Sequence, residues 1–291
     1  MPKSMRYPFT KMQSLGNDFI VLDGVAEALT LTAEQARRLA DRHFGVGCDQ
    51  VLLVQPGADA GEFLFTIFNQ DGSEAEQCGN GARCLARFLF EAGYAKSDAK
   101  SRAKNTVIHA RVRANRKALM TLTLIADASV SVALVAPEFT PARIPFAAER
   151  AAPVYRLELD DAPPVDIAAL GIGNPHAVLQ VDDAAAAPVA ARGPAIENHP
   201  RFPARANVGF MQVAARDHIH LRVHERGVGE TLGCGSGACA AVAAGVEWGL
   251  LDDCVRVSLP GGDAEVQWAG RGQPIILRGP ATRVFDGRIE L

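Results

Sequence analysis

The chain has 291 residues, of which 48% are hydrophobic, and a formal net charge of −3. At about 100–200 residues per domain this length supports two cores, and the charge supplies neither the basic field that nucleic acid requires nor a cationic face for a membrane. Residues 1–10 lack the apolar core of a signal peptide, and the longest apolar stretch, 238–246, is far short of the roughly 20 residues that span a bilayer, so a cytoplasmic protein with no nucleic-acid or membrane partner is expected.

In chain order, residues 12–23 read as a strand around a Gly-Asn turn, and 32–43 as an amphipathic helix with Ala36 and Leu39 facing inward. Strands follow at 51–54 and 62–69. A helix over 82–92 is stopped by Gly93; its polar residues Arg83, Arg87 and Glu91 are spaced by four and form one narrow stripe. Further strands are expected at 107–112, 119–125 and 129–135. The proline-rich stretch 137–145 resembles a linker near a domain boundary. Beyond it, strands are predicted at 154–159, 176–181, 208–213, 218–224, 255–258, 264–268 and 275–277, with 184–191 as a small-residue connector or short helix around Pro188. The helix over 238–246 has no polar residue before Glu247, and a helix apolar on all sides must be buried.

The two halves repeat. Cys78-Gly79-Asn80-Gly81-Ala82 and Cys234-Gly235-Ser236-Gly237-Ala238 lie 156 residues apart, as do Asn69 and Glu225, each nine residues before its cysteine. Asn17 and Asn174 are 157 apart, each after a glycine, and Gln50 and Asn207, again 157 apart, each open an apolar run. A period this long is a duplicated domain, not a solenoid or propeller. The expected fold is α/β, of the α+β type: two pseudo-symmetric duplicated domains, each a strand-rich sheet wrapped around a central helix. The first half is placed at 1–128, with a C-terminal strand at about 280–291 packing back on it, and the second at 129–279.

A cysteine at a helix start meets unpaired backbone N–H groups and the positive end of the helix dipole, which favours thiolate over thiol. Two of them in matching settings suggest an acid–base pair on opposite faces of one substrate carbon. The helix-start N–H groups near Gly79-Asn80 and Gly235-Ser236 would hold a carboxylate while charge develops beside it, and the glycine after each cysteine admits that carboxylate to the backbone. Pyridoxal phosphate chemistry requires a lysine; all six lysines (3, 11, 96, 100, 104 and 117) lie away from the cysteine motifs, so no cofactor is expected. The six cysteines show no zinc spacing, and no metal site is expected. Cys48, Cys84, Cys239 and Cys254 are expected to be small core residues. His218 and His220, alternating on a strand, are expected to be solvated, and His43, His109 and His199 carry no signal.

The chain resembles the diaminopimelate epimerase family. The resemblance rests on Leu15-Gly16-Asn17-Asp18-Phe19, Phe44 to Gln50, Phe68 to Glu74, Gln77 to Cys84, Gly173-Asn174-Pro175-His176, Asn207-Val208-Gly209-Phe210, and Glu225-Arg226-Gly227 through Cys239, in order along nearly the whole chain. It implies a cofactor-independent enzyme that interconverts LL- and meso-2,6-diaminopimelate in lysine and peptidoglycan-precursor synthesis, with two similar domains and a homodimer. Carried onto this chain, Cys78 and Cys234 are the acid–base pair. Gly79, Asn80, Gly235 and Ser236 hold the reacting carboxylate; Asn17, Gln50, Asn69, Asn174, Asn207, Glu225 and Arg226 hold the remaining polar ends. His176 and Glu225 stand where the family tunes the cysteines. Glu225-Arg226 aligns with Asn69-Gln70, so the second half alone offers a charge pair for a second, non-reacting amino-acid end. The chain departs from the family pattern at Gln13-Ser14, Cys48, Ala177, Gly233, 132–135 and Phe285. Rival readings are a proline or hydroxyproline racemase of related design, an isomerase of the phenazine-pathway type, and a redox switch or amino-acid-binding module.

Overall fold

The structure, a computed structural model, describes residues 6–75, 78–95, 105–160 and 162–290, the side chains of 115–118 excepted; Gln77 and lysines 3, 96, 100 and 104 of the sequence reading lie outside them. The elements are β1 (Arg6–Ser14), β2 (Asn17–Asp23), α1 (Ala33–Ala40), β3 (Gln50–Pro56), β4 (Glu62–Asn69), α2 (Gly79–Glu91), β5 (Thr106–Val112), β6 (Asn115–Leu124) and β7 (Val130–Leu134). After a 3₁₀ turn at Pro141–Arg143 come β8 (Tyr155–Leu159), β9 (Ala162–Gly171), β10 (Pro175–Gln180), α3 (Val189–Glu197), β11 (Asn207–Ala215), β12 (His218–Glu225), β13 (Gly229–Thr231), α4 (Gly235–Glu247), β14 (Cys254–Leu259), β15 (Gly262–Trp268), β16 (Ile275–Gly279) and β17 (Thr282–Glu290). The chain divides into two compact units, Met1–Val132 with Gly279–Leu291, and Ala133–Arg278.

Both units use one pairing scheme. In the first, β17 and β2 flank β1 antiparallel, β2 pairs parallel with β3, β3 antiparallel with β4, β4 parallel with β5, and β5 antiparallel with β6. In the second, β8 and β10 flank β9 antiparallel, β10 pairs parallel with β11, β11 antiparallel with β12, β12 parallel with β14, and β14 antiparallel with β15. The β13 strand, paired on β12, is an addition to the second unit. The fold is thus α+β in two domains.

Each sheet curls around one helix. Helix α2 packs on β1, β2, β3, β6 and β17, and α4 on β9, β10, β11, β12 and β15. Ten residues of α4 are buried, from Gly235 to Gly245, and all are Gly, Ala, Cys or Val, so strands can close on it from every side. The second helix of each unit lies elsewhere: α1 on β3 and β4, capped by Thr32 with Gln35, and α3 on β8, β11, β12 and β13.

Several expectations need correction. The helix expected over 32–43 ends at Ala40, where Asp41 turns extended. Both cysteine helices begin right after their cysteines, at Gly79 and Gly235, about one turn earlier than the apolar runs suggest. The stretch 137–145 is not a free linker: Glu138 bridges to Gly171, and Ile144 joins Phe146 in the core of the second unit with Tyr155 and Phe202. Residues 184–188 are not helical; α3 starts after Pro188, whose ring suits a helix start, and β9, which no expected strand covers, carries Pro163-Pro164 near its beginning. Cys254 is exposed, while Cys48, Cys84 and Cys239 are buried as expected. His218 is half-buried and bonded to Ser258; His220 is exposed.

One close approach gives a stability test. A Cβ on Gly193 of α3 would lie 2.5 Å from Cγ and 2.7 Å from Nδ1 of His224, a buried ring held at 2.8 Å by Glu197. The ring has nowhere to go, so Gly193→Ala should destabilise the protein by about 1–3 kcal/mol despite the better helix former; a melting temperature at or above that of the unmodified protein would contradict this packing.

Candidate active site

In the first unit, the β1–β2 hairpin turns through Leu15 and Gly16, both at positive φ (54° and 79°), which is what a two-residue turn with the strands' own twist demands. Leu15 is buried, so packing holds a non-glycine residue in a conformation that costs about 1–2 kcal/mol. The turn delivers Asn17 as the first residue of β2. Pairing then sets Gln50 opposite Phe19 and Asn69 opposite Gln50. Gln50 Nε2 donates to Asn69 Oδ1 at 2.9 Å, and Asn69 Nδ2 donates to Ser73 Oγ at 3.1 Å. Gln50 Oε1 is buried with no partner among the described residues, and a buried acceptor of that kind suits a donor brought by a ligand.

Cys78 caps α2 in an extended conformation; its sulfur accepts from the Gly81 N–H at 3.3 Å and donates to Asn17 Oδ1 at 3.9 Å. Asn80 Nδ2 donates to the same oxygen at 3.4 Å. A Cβ on Gly81 would stand 3.3 Å from Phe19 and 3.4 Å from Leu52; the second glycine of the motif serves packing, seating the helix start on β2 and β3. A Cβ on its counterpart Gly237 would stand closer still, 3.0 Å from Val223.

In the second unit, Gly173 (φ 78°) precedes Asn174 as Gly16 precedes Asn17. Asn174 Oδ1 bonds His176 Nε2 at 2.9 Å, and His176 faces Asn207 in the β10–β11 register. Asn207 Oδ1 accepts from the Arg226 backbone N–H at 3.0 Å while its Nδ2 donates to the Pro175 carbonyl. Glu225 Oε1 accepts from Thr231 Oγ1 at 2.5 Å. Cys234 stands at the start of α4, buried, with Ser236 Oγ 3.6 Å from its sulfur. Within each unit the sequence-chosen side chains therefore cluster: Asn17, Gln50, Asn69, Cys78 and Asn80 around the start of α2, and Asn174, His176, Asn207, Glu225, Arg226, Cys234 and Ser236 around the start of α4.

An anchoring contact repeats at the 156-residue offset. Gln70 Nε2 donates to the Cys48 carbonyl at 3.1 Å, and Arg226 Nη1 donates to the Ala204 carbonyl at 2.9 Å. Gln70 and Arg226 correspond, and the carbonyls they meet lie one position apart in the repeat, since Cys48 corresponds to Arg205 at the 157-residue offset of Gln50 and Asn207.

Electrostatics correct one expectation. Burial, then the Glu225 carboxylate, push the Cys234 thiol well above its usual range against the hydrogen bond from Ser236, so the helix start does not make it a thiolate at rest. Burial and then the Arg226 charge hold His176 down to about 3, so its ring is neutral at pH 7. Burial pushes Cys48 up to about 12, as befits an inert core thiol.

Four contributors escaped the sequence reading. Asp49 Oδ2 accepts from Asn17 Nδ2 at 2.8 Å. Arg83, taken there as part of a polar stripe, is fully buried and donates to Asn80 Oδ1. Glu197 and His224 form a buried pair at 2.8 Å, and the other Glu197 oxygen takes the Gly227 N–H at 2.8 Å, fixing the turn after Arg226. Only the adjacency of Asp49 to Gln50 could have been a signal for any of them.

This architecture, a repeated sheet-around-helix unit, is found in solved epimerases and racemases. The solved hydroxyproline epimerase from Agrobacterium vitis, with bound trans-4-hydroxy-L-proline, has the same fold, with a TM-score of 0.71 at 15% identity over 100% of this chain and 94% of that one. The family model for diaminopimelate epimerase matches residues 9–123 and 168–284. Curated diaminopimelate epimerases from Nitrosospira multiformis (49% identical, covering 99% of both chains) and Laribacter hongkongensis (51%, covering 99% of this chain and 100% of that one) align end to end. The chain belongs to the diaminopimelate epimerase family and is an epimerase.

The depressed His176 gives a pH test. Its folded pKa lies below the ordinary value of 6.5, so the unfolded chain binds the proton first: stability is full above about 6.5 and is lost as pH falls toward 3, by up to roughly 1.4 kcal/mol per pH unit. Melting temperature should drop on acidification from pH 7 to 4, and His176→Gln should flatten that slope; equal slopes in both proteins would count against it.

Proposed function

We propose that this epimerase interconverts LL- and meso-2,6-diaminopimelate by proton transfer between its α-carbon and two thiols, Cys78 and Cys234, without a cofactor. The observation that carries the reading is the local arrangement found twice: a cysteine at the start of a largely buried helix, a glycine after it, and an asparagine delivered by a glycine turn. The likeness to curated diaminopimelate epimerases over the full length supports the substrate.

In one turnover, one cysteine as thiolate takes the α-proton and becomes a thiol. The electron pair left on carbon delocalises into the adjoining carboxylate, which the helix-start N–H groups of Gly79-Asn80 and Gly235-Ser236 hold. The other cysteine, as thiol, gives its proton to the opposite face and becomes the thiolate. No proton is gained or lost overall, and the back reaction exchanges the roles. Burial and Glu225 favour Cys234 as the thiol in the free protein, which suits it to the donor role. Asn17, Gln50, Asn69, Asn174 and Asn207 hold the polar ends of the substrate. Arg226 and Glu225 take the carboxylate and ammonium of the non-reacting end. His176, neutral and buried beside Asn174, shapes the electrostatics around Cys234. The two halves each supply one thiol; a homodimer in the cytoplasm, serving lysine and peptidoglycan-precursor synthesis, completes the reading.

The test is incubation of the reduced protein with LL-diaminopimelate in D2O without added cofactor. Deuterium at the α-carbon with the meso isomer is expected, and loss of both in Cys78→Ala and Cys234→Ala. Exchange only with proline or hydroxyproline would overturn the substrate, and exchange with neither would overturn the reaction. Arg226→Ala should lower kcat/KM on diaminopimelate roughly 10- to 100-fold, the scale of a charge-assisted hydrogen-bond pair; near-normal turnover would remove it from the far-end site.

A further inference from the structure

A carboxamide is nearly symmetric in shape, and a lone asparagine can exchange its oxygen and nitrogen ends by turning about its last bond. Asn17 and Asn80 stand where that choice matters, because Asn17 meets the Cys78 sulfur. Each is tied to a group that accepts no ambiguity. Arg83, fully buried, has only donors and gives one to Asn80 Oδ1. Asp49, as a carboxylate, has only acceptors, and its Oδ2 takes Asn17 Nδ2 at 2.8 Å. Between these ends one direction is consistent: Arg83 to Asn80 Oδ1, Asn80 Nδ2 to Asn17 Oδ1, Asn17 Nδ2 to Asp49. Turning either amide sets donor against donor or acceptor against acceptor.

Both ends are themselves fixed. Nε and Nη2 of Arg83 donate to Ser14 Oγ at 3.1 and 2.8 Å, and Ser14 passes its own proton to the Pro280 carbonyl at 2.7 Å. A Cβ on Gly279 would lie 3.2 Å from Arg83 Nε, so the backbone there closes on the guanidinium. Asp49 Oδ1 is held by Arg42 at 2.7 Å, and its Oδ2 also takes the Asp18 N–H at 3.1 Å.

The second half supplies a contrast. At the same offset it carries Ser236 in place of Asn80 and Cys239 in place of Arg83. A hydroxyl rotates to suit its partners and requires no lock. The buried arginine is present in the half that has an amide at this position.

We propose that Arg83 and Asp49 are positioning residues that lock the amide directions of Asn80 and Asn17, so that Cys78 always faces the carbonyl oxygen of Asn17 and never its NH2. The consequence for catalysis rests on the reading of Cys78 as a reacting thiol: an acceptor facing the sulfur supports the S–H form that Cys78 becomes on taking the α-proton, and an NH2 there would support the thiolate and make it the weaker base.

The test is the rate at which iodoacetamide alkylates Cys78 at neutral pH, followed by peptide mass spectrometry alongside kcat and KM for α-proton exchange. Asp49→Ala frees Asn17 Nδ2 to turn toward the sulfur; the alkylation rate should rise at least threefold and kcat fall at least fivefold, with KM within threefold. Asp49→Asn removes the charge but still offers an oxygen to Asn17, and its alkylation rate should stay within twofold of wild type. Buried Cys84 is the internal control for folding; should it react in Asp49→Ala, Asp49→Ser takes its place. An unchanged Cys78 rate in a folded Asp49→Ala, or an equal rise in Asp49→Asn, overturns the proposal. Arg83→Met should raise the rate in the same direction, and a wild-type rate in a folded Arg83→Met overturns the part assigned to Arg83. Full turnover in Cys78→Ala would sink the catalytic reading alone, since the alkylation rates report the amide directions regardless of it.

Discussion

A helix sealed by apolar packing on every side leaves its N–H groups at one end as the polar feature its surroundings must answer. The first N–H groups of an α-helix have no partner inside it, and water cannot reach the flanks of α4, whose wall is glycine, alanine, cysteine and valine. Most helices meet this need with Ser, Thr, Asp or Asn at the cap. Neither of these does: each starts with cysteine, a weak hydrogen-bonding group. A strong cap would satisfy the helix end internally and remove its attraction for an anion. A cysteine leaves that attraction available and adds a group that exchanges a proton. The packing that excludes water from the helix wall thus leaves its mouth as the polar end on which the proposed carboxylate binding rests.

The two units share this device and stabilise its surroundings differently. The first uses neutral amides strung between a buried cation, Arg83, and a carboxylate, Asp49. The second uses a buried carboxylate, Glu197, bonded to His224 and to the backbone at Gly227, with a neutral His176 beside Asn174. A buried carboxylate with several donors is costly to expose and costly to leave unpaired, so Glu197 ties α3 to the turn that carries Arg226. That turn lies between the end of β12 and β13, where no regular strand pairing would fix it.

What could be read from the chain was what is local and what is repeated. The paired cysteine motifs, the glycine turns before Asn17 and Asn174, and the apolar run of α4 all declare themselves within a few residues. Their shared offset then gave the duplication. The misreadings fall where distant residues decide. Arg83 shares a four-residue spacing with Arg87 and Glu91, the pattern of a solvated stripe, and its burial depends on Ser14 and the Pro280 carbonyl, far away in sequence. No strand is expected over 162–171, yet β9 lies there with Pro163-Pro164 as its second and third residues, near a strand start where a missing donor is tolerated. The proline-rich 137–145 reads as a linker until Ile144 and Phe146 are seen in the core. The acidity of Cys234 was misjudged because the helix end is local and visible, whereas its burial is set by the whole sheet.

The departure from symmetry is as informative as the repeat. Gln70 and Arg226 occupy corresponding positions and make similar anchoring contacts, each to a backbone carbonyl of its own half, one position apart in the repeat. Exchanging glutamine for arginine keeps that contact and adds a permanent charge with more donors than one carbonyl can absorb. The exchange of Asn69 for Glu225 behaves likewise: Asn69 donates to a nearby hydroxyl, Ser73, and Glu225 accepts from one, Thr231. In both cases a contact within its own half holds the side chain, and the new charge is what differs. On the proposed reading, two equal halves would serve a reacting carbon from both faces. A substrate with a second charged end requires the halves to differ, and in this chain they differ by a cation and an anion on adjacent residues at the end of β12.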